Sequence, residues 1–228
     1  LEAFGVHFRS AGDTEVLMES YRHWGEDCLT KFNGMFSFAI WDRDLRRLFL
    51  ARDRLGKKPL YYTALREKHG GGLAFASELS ALAVFPGVGD AVDSQAVSDY
   101  FAYQYIPFDR TIFSGAHKLP PGHSLTWEVG QTTVARYWQP PHPETSIPRI
   151  GGADKWNLQE ELRSLVDDAT RLRLRADVPL GAFLSGGVDS AIVVSSMQRQ
   201  CADLHTYTIG FDDATYDERD AARASASY

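Results

Sequence analysis

Residues 178–196 read VPLGAFLSGGVDSAIVVSS, and this stretch decides the architecture of the C-terminal part of the chain. It opens as an apolar strand, breaks at Gly186 and Gly187, and resumes as a helix. A second strand, LHTYTIGF, follows the helix AIVVSSMQRQ at the spacing of a right-handed parallel β-α-β unit. Parallel sheets present ligands with the carboxyl ends of their strands, and the next helix adds unpaired N–H groups and a positive dipole end. Neither glycine carries a Cβ, so the backbone can come close to an anion provided both stay open rather than sealed under side chains. Ser185 and Ser190 add hydroxyl donors. Asp189 would repel a phosphate unless a divalent cation lay between them. The loop therefore reads as a site for a di- or triphosphate with Mg²⁺, with Val188 expected to anchor it in the core.

Other phosphate and nucleophile patterns do not fit. A G-x-x-x-x-G-K-[ST] loop needs a lysine, and this loop has none. G-x-G-x-x-G is absent, and neither Ser185 nor Ser190 sits in a G-x-S-x-G elbow. The bland alternative is a strand-to-helix turn capped by Asp189 or Ser190, with the glycines present only for tightness.

Upstream, the chain changes character. QPPHPETSIPRIGGADK carries four prolines between Pro140 and Pro148, which exclude a regular element and mark a boundary. After it, WNLQEELRSLVDDATRLRL places Leu158, Leu162, Leu165, Val166, Ala169 and Leu172 on one helical face. Before it, strand signals come in pairs: GMFSFAIWD with LFLARD, PLYYTAL with GGLAFAS, and HSLTWEV with TTVARYW. In the first pair, Phe36, Phe38 and Ile40 share a face. DTEVLMESYRHWG is a helix with Val16, Leu17, Tyr21 and Trp24 at helical spacing, Asp13 at the N-cap and Gly25 at the C-cap. SELSALAVFPG is a short helix, and DSQAVSDYFAYQY is another capped by Asp93 or Ser94. The expected fold is an α+β part of antiparallel sheets and helices, followed by the start of an α/β part with a parallel sheet.

Composition narrows the function classes. The 228 residues carry a net charge of −6, which argues against a general nucleic-acid surface. Cys28 and Cys201 have neither metal-ligand nor disulfide spacing. No apolar run approaches the ~20 residues of a membrane span, so a soluble, cytoplasmic protein is the default expectation. There is no initiator Met, and the last helix has no stop signal; a fragment of a longer protein is expected. The acidic cluster Asp212, Asp213, Asp217, Glu218 and Asp220 could serve a metal, but reads better as a solvated loop and helix first turn. The basic run Arg43, Arg46, Arg47, Arg52, Arg54, Lys57 and Lys58 reads as a charged outer face, with Arg52 and Asp53 organising a turn.

LSGGVDSA resembles the pyrophosphate loop of the ATP pyrophosphatases. The whole chain resembles the glutamine-dependent asparagine synthetases through GDTEVLMESYRHWGEDCLTKFNGMFSFAIWD, ARDRLGKKPLYY, FASELSAL, TIFSGAHKLPPGHSL, YW, FLSGGVDS and YTIGF. The resemblance implies a glutaminase domain of the N-terminal-nucleophile type at 1–138, lacking its start. A linker at 139–154 and the start of the ATP-binding synthetase domain at 155–228 would follow. The catalytic cysteine would precede Leu1, so neither Cys28 nor Cys201 is the nucleophile. Asp13 matches the aspartate that binds the α-amino group of glutamine, an alternative to its role as a cap. Leu184 and Ile209 match positions that contact adenosine, although core packing would explain them as well. Ser185, Gly186, Gly187, Asp189 and Ser190 match the pyrophosphate loop, with Asp189 a candidate Mg²⁺ ligand.

The implied reaction makes asparagine from aspartate through β-aspartyl-AMP, using ammonia from glutamine and ATP with Mg²⁺. Partners would be these small molecules, with no nucleic acid and no membrane; a homodimer is compatible with the resemblance. Related enzymes amidate other carboxylates in cell-surface sugars, antibiotics or peptides, and a non-catalytic relative is the remaining alternative.

Overall fold

The computed structural model describes residues 1–65, 71–141 and 152–228, with the side chains of 152–156 left aside. By its internal contacts the chain divides into two compact units, Leu1–His142 and Pro143–Tyr228.

The first unit is built on two antiparallel sheets. One has the order β1-β2-β6-β7, formed by β1 (Ser37–Asp42), β2 (Arg47–Arg52), β6 (His123–Glu128) and β7 (Gln131–Arg136). The other has the order β4-β3-β5, formed by β3 (Tyr61–Ala64), β4 (Leu73–Ala76) and β5 (His117–Lys118). All three sequence-paired hairpins form, in the registers Ile40↔Phe49, Tyr62↔Phe75 and Leu125↔Val134.

Alternation along β2 organises the core, because successive side chains leave a strand on opposite faces. Phe49 and Ala51 face a cluster with Tyr21, Cys28, Leu29 and Ile40, and Phe36 and Phe38 pack against it. Leu50 faces the other way, onto Leu60, Leu119 and Leu125, with Tyr62 and Leu73 of the second sheet packed on that cluster. The far face of the second sheet buries Ala74 against Leu82, at the end of the short helix α2 (Leu79–Leu82). The unit is thus layered: helix α1 (Asp13–Trp24), first sheet, second sheet, α2. Of the apolar positions expected to bury α1, Leu17, Tyr21 and Trp24 do so, whereas Val16 is exposed.

Two strings separated by more than sixty residues in the sequence meet in one turn. Arg52 donates to the carbonyls of Gly56 (2.8 Å), Lys58 (2.9 Å) and Leu119 (2.7 Å), so RDRLGKK is clasped to KLPPGH. Asp53, only 1% exposed, accepts from the N–H groups of Leu55, Lys57 and Lys58. Gly56 has φ +66, and a Cβ there would stand 2.8 Å from Pro121. The expected turn-organising role of Arg52 and Asp53 is what the structure has. Arg52 is consequently no part of an outer charged face, and burial holds its guanidinium below the ordinary arginine range. Asp93 caps helix α3 (Ser94–Tyr103), accepting from Gln95 and Ala96 N–H, which settles the choice between Asp93 and Ser94.

The second unit contains α4 (Gly152–Arg171), β8 (Gly181–Phe183), α5 (Val188–Gln198), β9 (His205–Tyr207) and α6 (Arg219–Ala226). β8 and β9 pair in parallel, Ala182 opposite Thr206. Helix α4 begins inside the stretch read as linker; most of that stretch, residues 142–151, lies outside the described residues. Asp167 fastens α4 to α5, accepting from Ser196 Oγ (2.5 Å) and from the Arg199 guanidinium (2.6 Å). Leu158, Leu162 and Leu165, on the expected apolar face of α4, are exposed. Among the described residues no helix is long and apolar enough to cross a membrane.

Candidate functional site

The S-G-G-V-D-S segment forms the turn from β8 into α5, at the carboxyl end of the parallel pair. The ladder continues one residue further, Leu184 N–H donating to Tyr207 O at 2.9 Å, and Thr208 Oγ1 closes it on Leu184 O at 2.7 Å. Leu184 is 2% exposed and so forms the floor under the turn. Gly187 is the N-cap residue of α5 and no side chain caps the helix, so its first-turn amides are left without a side-chain acceptor. Neither Asp189 nor Ser190 caps it, contrary to the bland reading of the turn. Ser190 Oγ instead pairs with Ser185 Oγ at 2.8 Å.

Gly186 and Gly187 are both exposed. Gly186 also answers a packing need: a Cβ there would lie 3.0 Å from Ala221 Cβ in α6. Its side-chain-free backbone is therefore required by the neighbouring helix as well as by any ligand. Val188 does not anchor the loop. It is 70% exposed as the first residue of α5, and Leu184 takes the anchoring place.

Beside the turn lies a cleft of about 330 Å³ whose lining includes Leu184, Ser185, Ser190, Ile209, Phe211 and Glu218. Leu184 and Ile209 are thus brought to one cleft with the loop serines. Ile209, 66% exposed, is a wall residue and not core packing. Phe211 and Tyr216 add aromatic surface that the sequence reading did not assign.

The acidic cluster divides. Asp217 takes both a 2.8 Å and a 2.9 Å bond from Arg219 Nε, which lowers its pKa. Glu218 reaches back thirty-two residues to accept from Gly186 N–H at 3.1 Å, a contact with no local sequence signal. Among the described residues, no group of three or more His, Cys, Asp or Glu is placed to hold a metal ion. Asp189 is exposed at the start of α5 and supplies one carboxylate. That donor set suits a magnesium carried largely by phosphate oxygens and water, not a protein cage.

In the first unit, Asp13 is the first helical residue of α1 and exposed; the N-cap residue is Gly12, which has no side chain to cap with. No side chain caps α1; Glu15, in its first turn, accepts from the N–H groups of Arg9 (2.8 Å) and Ser10 (2.7 Å), which belong to the segment leading into the helix. The N-cap position expected at Asp13 is therefore held one residue earlier, by Gly12. Cys28 is fully buried, and burial pushes its thiol up to about 11, unlike the activated thiolate of a nucleophile.

An antiparallel layered unit followed by a parallel unit with an open, serine-glycine turn defines a class of two-part proteins. The chain belongs to the glutamine amidotransferase family: residues 1–138 match the family described as glutamine amidotransferase domain, and residues 161–228 match the family described as asparagine synthase. It is 35% identical over its whole length to the glutamine-hydrolyzing asparagine synthetase 1 of Bacillus subtilis, covering 34% of that protein. It is 36% identical over 95% of its length to a putative glutamine-hydrolyzing asparagine synthetase 2 of Methanocaldococcus jannaschii, covering 41% of it. A third relative, glutamine-hydrolyzing asparagine synthetase 3 of B. subtilis, is 37% identical over 93% of the chain. The chain spans about a third of the length of the B. subtilis relatives it matches.

Proposed function

We propose that this chain is part of a glutamine-hydrolysing asparagine synthetase, a carbon–nitrogen ligase. In this reading, residues 1–138 belong to the glutaminase, 139–154 link the two domains, and 155–228 begin the ATP-binding domain. The observation that carries it is the uncapped first turn of α5, preceded by two exposed glycines and set beside a cleft walled by Leu184 and Ile209. Unpaired amides and the positive end of an eleven-residue helix favour a polyanion. An apolar wall beside them favours a purine.

Each residue has a task in this reading. Leu184 and Ile209 flank the adenosine. Ser185, Gly186, Gly187 and Ser190 shape the turn that receives the phosphates. Asp189 orients a magnesium ion, which, when bound, neutralises the charge of the leaving pyrophosphate. Asp13, exposed at the start of α1, is available for the ammonium of glutamine, for which a carboxylate gives a charge-assisted bond. The aspartate β-carboxylate attacks the α-phosphorus of ATP, giving β-aspartyl-AMP and pyrophosphate; ammonia then displaces AMP to give asparagine.

Asp189→Ala in the full-length protein is expected to abolish AMP formation while glutamine hydrolysis continues. Persistent AMP release would remove the metal role. The choice of aspartate as acceptor rests on the names of the relatives, and is checked by supplying aspartate, glutamine and ATP and looking for asparagine by mass spectrometry.

A further inference from the structure

The three amides of the turn are already engaged by side chains. Ser185 N–H donates to Ser190 Oγ at 3.3 Å, Gly187 N–H to Ser185 Oγ at 3.2 Å, and Gly186 N–H to Glu218 Oε2 at 3.1 Å. Two of the acceptors are internal to the turn and neutral. The third is a carboxylate from the far side of β9, and it is the only charged one.

Glu218 is the N-cap residue of α6, yet its side chain gives that helix no capping bond. Its carboxylate is committed to the turn. The start of α6 is pinned there by two further contacts. Ala221 packs so close to Gly186 that a Cβ on the glycine would come within 3.0 Å, and Arg219 lies across Gly210 with its Cδ 2.6 Å from where a Cβ would be. Arg219 is in turn held by Asp217 and by the carbonyl of Phe211. Glu218 is therefore presented by a fixed backbone.

Consecutive glycines have the most conformational freedom to lose when a ligand orders them. A charged acceptor that fixes one of them beforehand lowers what the ligand must organise. The amides that keep no side-chain acceptor are those of the first turn of α5.

We propose that Glu218 is a positioning residue for nucleotide binding: by holding Gly186 N–H it sets the turn so that the first-turn amides of α5, and not the glycine amides, receive the polyphosphate. This rests on the nucleotide reading of the same turn. The test measures ATP affinity of the full-length protein by calorimetry, with melting temperature as the check on folding. Glu218→Ala weakens ATP binding by about tenfold, the worth of one hydrogen bond to a charged group. The same loss appears as a raised KM for ATP. Glu218→Gln keeps a carbonyl acceptor of the same reach and weakens binding only about two- to threefold, as a neutral bond replaces a charged one.

The opposite outcome has a clear physical meaning. A carboxylate that merely stood in the place of a phosphate would, on removal, let ATP bind more tightly. Equal or tighter binding by either variant overturns the proposal. If the alanine variant melts far below the parent, the glutamine variant decides alone by the same criterion. A parent protein that fails to bind ATP at all overturns the nucleotide reading itself, and the role of Glu218 with it, so the two failures are told apart by the parent measurement.

Discussion

The two units solve the burial problem to different degrees. Unit 1 sandwiches β2 between apolar layers, with Phe49, Leu50 and Ala51 all fully buried on alternating faces. Among the described residues of unit 2, Leu184 and Ala222 are the buried hydrophobic side chains, and Leu158, Leu162, Leu165, Val188 and Ile192 are exposed. A two-stranded parallel pair has two edges and two faces, and three helices cannot cover all of them. Hydrophobic stabilisation follows the apolar area removed from water, at roughly 25 cal/mol per Å², so unit 1 carries most of its own stability and unit 2 does not. Unit 1 encloses a layered apolar core, whereas among the described residues of unit 2 most large apolar side chains stay exposed.

The strongest way to break that comparison is to separate the units. Residues 1–142 expressed alone are expected to unfold cooperatively in urea, followed by tryptophan fluorescence. Residues 143–228 alone are expected to bind a hydrophobic dye and show no cooperative transition. A sharp transition in the second piece would mean that its exposed apolar side chains find partners within it, and the contrast would fall.

A pair of single changes sharpens the same point. Leu50→Ala empties a site fully enclosed between the two sheets and is expected to cost about 2–5 kcal/mol. Leu162→Ala, at a position 62% exposed, is expected to stay within about 0.5 kcal/mol. Both are read from urea midpoints of the same chain. A large cost at Leu162 would show that its face of α4 is covered after all.

Sequence periodicity was informative wherever burial is decided locally. The three hairpins, the parallel crossover and most of the α1 face (Leu17, Tyr21 and Trp24) follow from alternation and 3.6-residue spacing, whereas Leu158, Leu162 and Leu165 on the expected apolar face of α4 stay exposed. The clasp of Arg52 on Leu119 and the reach of Glu218 to Gly186 were not legible, since both join residues far apart in the chain through single hydrogen bonds. The acidic cluster reads as a solvated loop and the first turn of a helix, and its residues are exposed apart from the partly buried Asp217, with Asp220 in the first turn of α6; the reading does not reach the individual partners, Arg219 for Asp217 and the turn for Glu218. Val188 misled for a different reason. A valine between two glycines and an aspartate looks like a core anchor, but as the first residue of α5 it is 70% exposed, and the buried place falls to Leu184. At α1, Asp13 looks like the cap by residue type, whereas the N-cap position falls on Gly12 and no side chain caps the helix.

The smallest effect concerns pH, where the units are expected to weaken at opposite ends of the scale. In unit 1, burial and then the neighbouring Asp27 and Glu26 raise the Cys28 thiol from 9.0 to about 11. Burial raises the Tyr137 hydroxyl from 10.0 to about 12, and that hydroxyl donates to Arg52 O at 2.7 Å. Above about pH 9 the unfolded chain releases protons that the folded unit keeps. The unfolded state then binds fewer protons, and stability falls as pH rises through the folded values. Burial of Lys118 works the other way, lowering its pKa, and offsets part of this loss. In unit 2, Asp167 is lowered by its bonds from Ser196 and Arg199, Asp213 by Thr215 and Asp217 by Arg219. Their contribution is present above the unfolded value near 3.8 and is lost as pH falls below it. Hydrogen exchange resolved by peptide is the measurement: acid should open the α4–α5 clasp first, and alkali the β1–β2 region first. Cys28→Ala should flatten the loss between about pH 9 and 11 while leaving the part owed to Tyr137. If the alkaline loss keeps its shape in that variant, the buried thiol is not its source, and the difference in packing between the units does not reach their titration.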